Sequence, residues 1–103
     1  MFSKGIIAFT KGLPRTIANI EVIKQLVRSA GSVGANYIEA NESLSKKDFV
    51  MRIKICKKEA KESCYWLHLL ELGGKEPEAK MLDLLREATE LMKIFGSILE
   101  KSK

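Results

Sequence analysis

The 103-residue sequence predicts an all-α fold: an antiparallel up-and-down four-helix bundle with a short first helix, spanning residues 1–103 as a single domain. Three observations carry that reading. Apolar and small residues recur at alternating steps of four and three, the spacing of one helix face, where a strand would alternate every second residue. The strong breakers are few and fall together at Pro14, Gly73-Gly74 and Pro77, between the periodic stretches. The connections left between the long stretches are short, which places consecutive helices antiparallel. A chain of this length with 46% hydrophobic residues has enough apolar surface to fold without a disulfide or metal staple.

Each element has its own signature. Ser3–Gly12 predicts the short first helix, too short to be stable alone. The second runs over 16–42, with Ile20, Ile23, Val27, Ala30, Gly34 and Tyr37 as its stripe and Val22, Leu26 and Val33 widening it. The third covers 46–72, with Phe49, Ile53, Cys56, Ala60, Ser63, Leu67 and Leu70 on one face. Ser45 and Asp48 form a capping box at its start, and Gly73 supplies the left-handed residue at its end. The fourth, 77–101, opens on Pro77 between Glu76 and Glu78. It carries Met81, Leu85, Ala88, Met92, Phe95 and Leu99, and a second row of Leu84, Leu91 and Ile98 beside Leu82. Such a wide apolar face predicts burial against another subunit. In the second helix, Ser29 to Ala35 is a run of small or slim residues, and Gly31 and Gly34 predict close helix approach, since glycine in a helix needs compensation of about 1 kcal/mol.

Composition narrows the function classes. The apolar run Ile6–Phe9 is far short of the ~20 residues of a membrane span, so the reading is a cytoplasmic protein with no membrane association. Cys56 and Cys64 sit eight apart in one helix, about 12 Å along its axis, too far to bridge. The single histidine, His68, lies off the apolar stripe, and Cys64 with His68 offers a metal or thiolate site only two groups and no orienting third. The expectation is therefore no catalytic residue, no metal and no cofactor, with a Cys64/His68 metal protein or enzyme as the lesser alternative.

Charge is more informative. Eighteen basic against thirteen acidic residues give a net charge of +5. Lys47, Lys54, Lys58 and Lys61 fall on nearly one line of the third helix, opposite its apolar face, and Tyr65 continues that line; Lys46, Arg52 and Lys57 add to it. Two readings stand: a solvated face partly compensated by Asp48, Glu59 and Glu62, or a stripe that tracks a phosphate backbone. Repetition in an oligomer favours the second. Asn36 and Glu39, one turn apart among small neighbours, predict hydrogen-bonded elements between helices, and Trp66 predicts a core or subunit contact.

The stretches Gln25 to Ala40 (QLVRSAGSVGANYIEA), Ser45 to Phe49 (SKKDF) and Lys57 to Leu67 (KKEAKESCYWL) resemble the bacterial four-helix-bundle family, also called the ribosomal RNA intervening-sequence protein family. The resemblance is strong over residues 6–72 and holds in pattern for the last helix. It implies an antiparallel four-helix bundle that assembles as a ring-shaped homopentamer with no known catalytic activity. A similar accessory protein of diversity-generating retroelements binds its reverse transcriptase and nucleic acid through a basic surface. By that likeness Arg28, Lys47, Lys54, Lys58 and Lys61 form a candidate contact surface for RNA or a nucleic-acid enzyme, while Gly34, Asn36, Glu39, Tyr65 and Trp66 are structural members of the motif. A module that binds only protein is the other reading. Relatives usually have a longer first helix than this one.

Overall fold

The computed structural model describes residues 1–103 and contains four helices: α1 (Phe2–Thr10), α2 (Ile17–Asn41), α3 (Lys46–Leu69) and α4 (Lys75–Lys101). α2 packs on α3 and α3 on α4, while α1 wedges between α2 and α4, which make no close backbone approach to each other. The long axis is 45 Å, and α1 spans only about 14 Å of it at 1.5 Å per residue. The core therefore divides in two. At the α1 end, Phe2, Ile6, Phe9, Leu13, Leu26, Ala30, Leu67, Leu70, Leu84 and Ala88 pack from all four helices and their connections. At the other end only α2, α3 and α4 contribute, through Val33, Ala40, Ile53, Cys56, Ala60 and Phe95. Fully buried Ile53 and Leu67 each contribute about 1.5–3 kcal/mol of transfer free energy.

The helix starts follow local capping. Thr16 and Ser45 stand in extended backbone, and their hydroxyls accept from the Asn19 and Asp48 amides at 3.1 Å. α4 begins at Lys75, two residues earlier than the spacing predicts, because Pro77 is tolerated within a first turn whose N–H groups have no helical acceptor.

α3 stops at Leu69, three residues short of the expected end, and the cause is a side chain on another helix. Asn19, 1% exposed, donates through Nδ2 to the Glu71 carbonyl at 2.8 Å and the Pro14 carbonyl at 3.0 Å, and its Oδ1 accepts from the Glu71 amide at 2.9 Å. These bonds fix the Glu71 backbone just past Leu70, which is extended, and tie the 70–74 connection to the start of α2. Gly73 does adopt φ +79°, but inside the connection; a Cβ there would also lie 3.2 Å from Pro14 Cγ.

One packing expectation is revised. The α2 core line is Asn19, Leu26, Ser29, Ala30, Val33 and Ala40, rotated from the predicted stripe, so that Ile20, Gly34 and Tyr37 are exposed. That stripe faces the α1 side. α1 half-covers Ile23 and Val27 and then ends, leaving Gly34 and Tyr37 on an apolar groove of about 250 Å³ with Met1, Phe2, Leu91 and Phe95. The wide apolar face of α4 is used within the chain: Leu84 is buried, and Leu91 and Ile98 are half-buried. α4 meets α3 on one side and α1 on the other, while Leu82 and Ile94 point outward and stay about half exposed in the single chain.

Candidate nucleic-acid interface

The α2–α3 seam decides which charges remain free. Along it Arg28 reaches Glu59 and Glu62, the Ser29 and Ser63 hydroxyls meet at 2.9 Å, the Cys56 thiol donates to the Val33 carbonyl at 3.4 Å, and Arg52 Nη1 donates to Asn36 Oδ1 at 3.0 Å. From Ser29–Ser63 through Val33–Cys56 to Asn36–Arg52 the α3 partner recedes as the α2 partner advances, the register of antiparallel helices.

Arg28 is the centre of the seam's charge. Its guanidinium bonds Glu59 Oε2 at 3.0 Å and Glu62 Oε2 at 3.2 Å, with the Glu59 side chain only 8% exposed. Burial pushes the Glu59 carboxyl up, but its neighbours Glu62, Ser32 and Arg28 outweigh that and hold it below its ordinary value. The hydrogen bond and charge of Glu59 raise Arg28 further above its already high value. Arg28 is thus paired with two carboxylates across two helices, so its charge is offset where those of the α3 lysines are not. Glu59 and Glu62, expected to compensate the α3 lysines, turn toward α2 instead.

The remaining predicted lysines come together. Lys47, Lys54, Lys58 and Lys61 are exposed on the outer side of α3, and neither they nor Lys46 and Lys57 have a carboxylate within 4.0 Å. Two shallow depressions run end to end along the helix. One, of about 680 Å³, follows Ser45 to Lys54 and includes Met51; the other, of about 390 Å³, is bounded by Lys54, Lys57, Lys58, Lys61 and Leu99. Lys54 lines both, making one basic trough. Lys57 leans across to α4, where a Cβ on Gly96 would sit 3.8 Å from its Nζ. Such a row of ammonium groups can hold a string of phosphates as point charges.

The motif residues have separate fates. Asn36 joins α2 to α3 through Arg52 and also donates to the Ser32 carbonyl and hydroxyl. The Arg52 Nε beside this link is buried without a partner. Glu39 is exposed and its carboxylate makes no hydrogen bond, so it is not an interhelix element within the chain. Gly31 and Gly34 face open space, with nothing within 4 Å of an added Cβ; close approach is made instead by Ser29 and Ala30, which are buried. Trp66 is half-buried against the core of the α1 end, whereas Tyr65 is 58% exposed, with its ring edge-on to Trp66 at 4.9 Å and 67°. Burial raises the Cys64 thiol, away from a reactive thiolate, and His68 is exposed one turn on. No three His, Cys, Asp or Glu side chains converge on a metal position, and no helix is long and apolar enough to cross a membrane.

Sequence reasoning missed the neutralisation of Arg28. Its only signal was that Glu59 and Glu62 lie off the lysine line at 100° per residue, and using that required the register between α2 and α3.

Comparison with known proteins follows the same lines. The solved structure of a protein of unknown function from the S23 ribosomal protein family of Bacteroides thetaiotaomicron VPI-5482 is similar, with a TM-score of 0.72 and 27% identity over 96% of this chain and 98% of that one. No curated protein matches the sequence. The family model described as 23S rRNA-intervening sequence protein matches residues 1–97, and with nearly the whole bundle inside that match the chain belongs to the 23S rRNA-intervening sequence protein family.

Proposed function

We propose that the protein is a non-enzymatic scaffold that binds structured RNA through the outer face of α3. One observation carries this reading: the six α3 lysines have no acidic partner, and four of them bound a single depression. Leaving like charges adjacent and unpaired costs stability, and a polyanion repays that cost by releasing its own counterions.

A second component rests on the surface of α2 that α1 leaves uncovered. Gly31 and Gly34 expose bare backbone beside Ile38, 64% exposed, and a helix of another copy can approach such a surface closely. Self-association repeats the lysine row and raises its effective concentration against one long RNA. Replacing Gly34 by Leu is expected to leave the isolated fold intact and to lower the molecular mass in solution. An unchanged mass assigns self-association, where present, to another surface.

The decisive experiment is binding of nuclease-treated protein to a labelled structured RNA at two salt concentrations, with mass recorded in the same buffers. Salt-sensitive binding that disappears in the Lys47→Glu, Lys54→Glu, Lys58→Glu, Lys61→Glu variant is expected. Absence of binding at low salt, with a protein partner retained after nuclease treatment, replaces this reading with a protein-only interaction module.

A further inference from the structure

A row of lysines reads charge but no base, so it does not distinguish a duplex from an unpaired strand. The same row has one member that is not a lysine. Tyr65 stands one helical turn beyond Lys61 on the same line, and from Lys47 to Tyr65 the line covers about 27 Å of helix axis.

Tyr65 differs from an ordinary surface tyrosine in what holds it. Its ring meets Trp66 edge to face at 4.9 Å, and Trp66 is itself half-buried against the core of the α1 end, so the phenol ring is backed on one side while 58% of the residue stays in water. An aromatic ring that is exposed and pre-oriented loses little conformational freedom when a flat partner lands on it. Every base has such a face, but in a duplex those faces are occupied by neighbouring pairs. Only loops, bulges and single strands offer them.

We infer that Tyr65 is a stacking platform for an unpaired base at the end of the lysine row, so that the α3 face selects RNA with unstacked nucleotides over continuous duplex. This rests on the reading of α3 as an RNA surface. Lys54, Lys58 and Lys61 hold the phosphates leading to the stacked base. No hydrogen bond to a base edge is involved, so base identity matters little.

The test is fluorescence anisotropy of the full chain with a labelled uridine-rich single strand and with a fully paired RNA of the same length. Tyr65→Ala is expected to weaken single-strand binding about tenfold, the scale of one lost base stack, and to change duplex binding by less than about twofold. Tyr65→Phe keeps the ring and is expected to bind both as the parent does. Trp66 is the sole tryptophan, so its emission reports locally: the single strand is expected to quench it and the duplex to leave it unchanged. Should Tyr65→Ala lose helicity by circular dichroism, Tyr65→Gln carries the same comparison. Equal effects of Tyr65→Ala on both RNAs, or none on either, overturn the platform while the α3 surface stands, provided the four-lysine variant loses both. Retention of binding by that variant, or no binding of either RNA by the parent, overturns both.

Discussion

α3 and α4 are both rich in charge but opposite in electrostatics: α3 carries seven basic and three acidic residues, α4 five basic and six acidic. α4 is laced with local pairs: Lys80 with Glu76, Arg86 with Asp83, and Lys93 with Glu90, all three or four residues apart. α3 carries carboxylates as well, but Glu59 and Glu62 are drawn across the seam to Arg28, and its six lysines stay unpaired. Composition already sets the two faces apart, and where the counter-charges are spent widens the difference. Arg28 on α2 sharpens the basic excess of α3 by drawing away two of its three carboxylates.

Four measurements break or sharpen that contrast. The largest expected effect is on RNA affinity. Reversing Lys47, Lys54, Lys58 and Lys61 to Glu is expected to lower it by about 100-fold or more and to flatten its salt dependence by about one slope unit per lysine. Reversing Lys80, Arg86 and Lys93 on α4 is expected to change it far less, because their charges are already matched. Equal losses from both sets would reduce the α3 face to a share of the overall net charge of +5.

Next is Arg28→Ala. It leaves Glu59 buried without its cation and is expected to cost about 1–2 kcal/mol in chemical denaturation, below the figure for a fully buried pair because Arg28 is half exposed. It also releases Glu62 toward the α3 lysines, so RNA affinity is expected to fall. A stable Arg28→Ala variant with unchanged affinity would remove Arg28 as the organiser of the contrast.

The third measurement is the acid limb of stability. The folded Glu59 carboxyl sits below its unfolded value, so its contribution is fully present above about pH 5 and is lost as pH falls through the depressed folded value. Glu59→Gln is expected to flatten that part of the pH profile, and an identical profile for parent and variant would show that Glu59 contributes none of it. The smallest effect belongs to α4: Lys93→Ala removes an exposed pair at 3.8 Å and is expected to change stability by less than about 0.5 kcal/mol.

Much of this architecture was legible in the sequence because helix periodicity and capping are local. The stripes of α3 and α4, the Ser45 cap and the lysine row follow from spacing alone. The failures share one cause: they depend on where another helix ends. Gly34 and Tyr37 continue an apolar stripe that α1 is too short to cover, Glu39 lies one turn from an interhelix bond it does not join, and Leu70 leaves the helix because Asn19, fifty-two residues away in the pairing, captures the backbone beside it. Of the candidate surface, the lysines were visible as a line, but that Glu59 and Glu62 turn away from them to Arg28 required the α2–α3 register.

Asn19 also sets where the chain can be lengthened. Surface connections usually accept inserted residues at little cost, since closure entropy grows slowly with length. Here the 11–16 and 70–74 connections are latched to one another through a single amide and through Pro14 resting on Gly73, so an insertion in either strains both. The 42–45 connection at the opposite end has no such latch, and Leu44 stands fully in solvent. An affinity tag or reporter domain belongs there, at the start of the basic trough but outside the core.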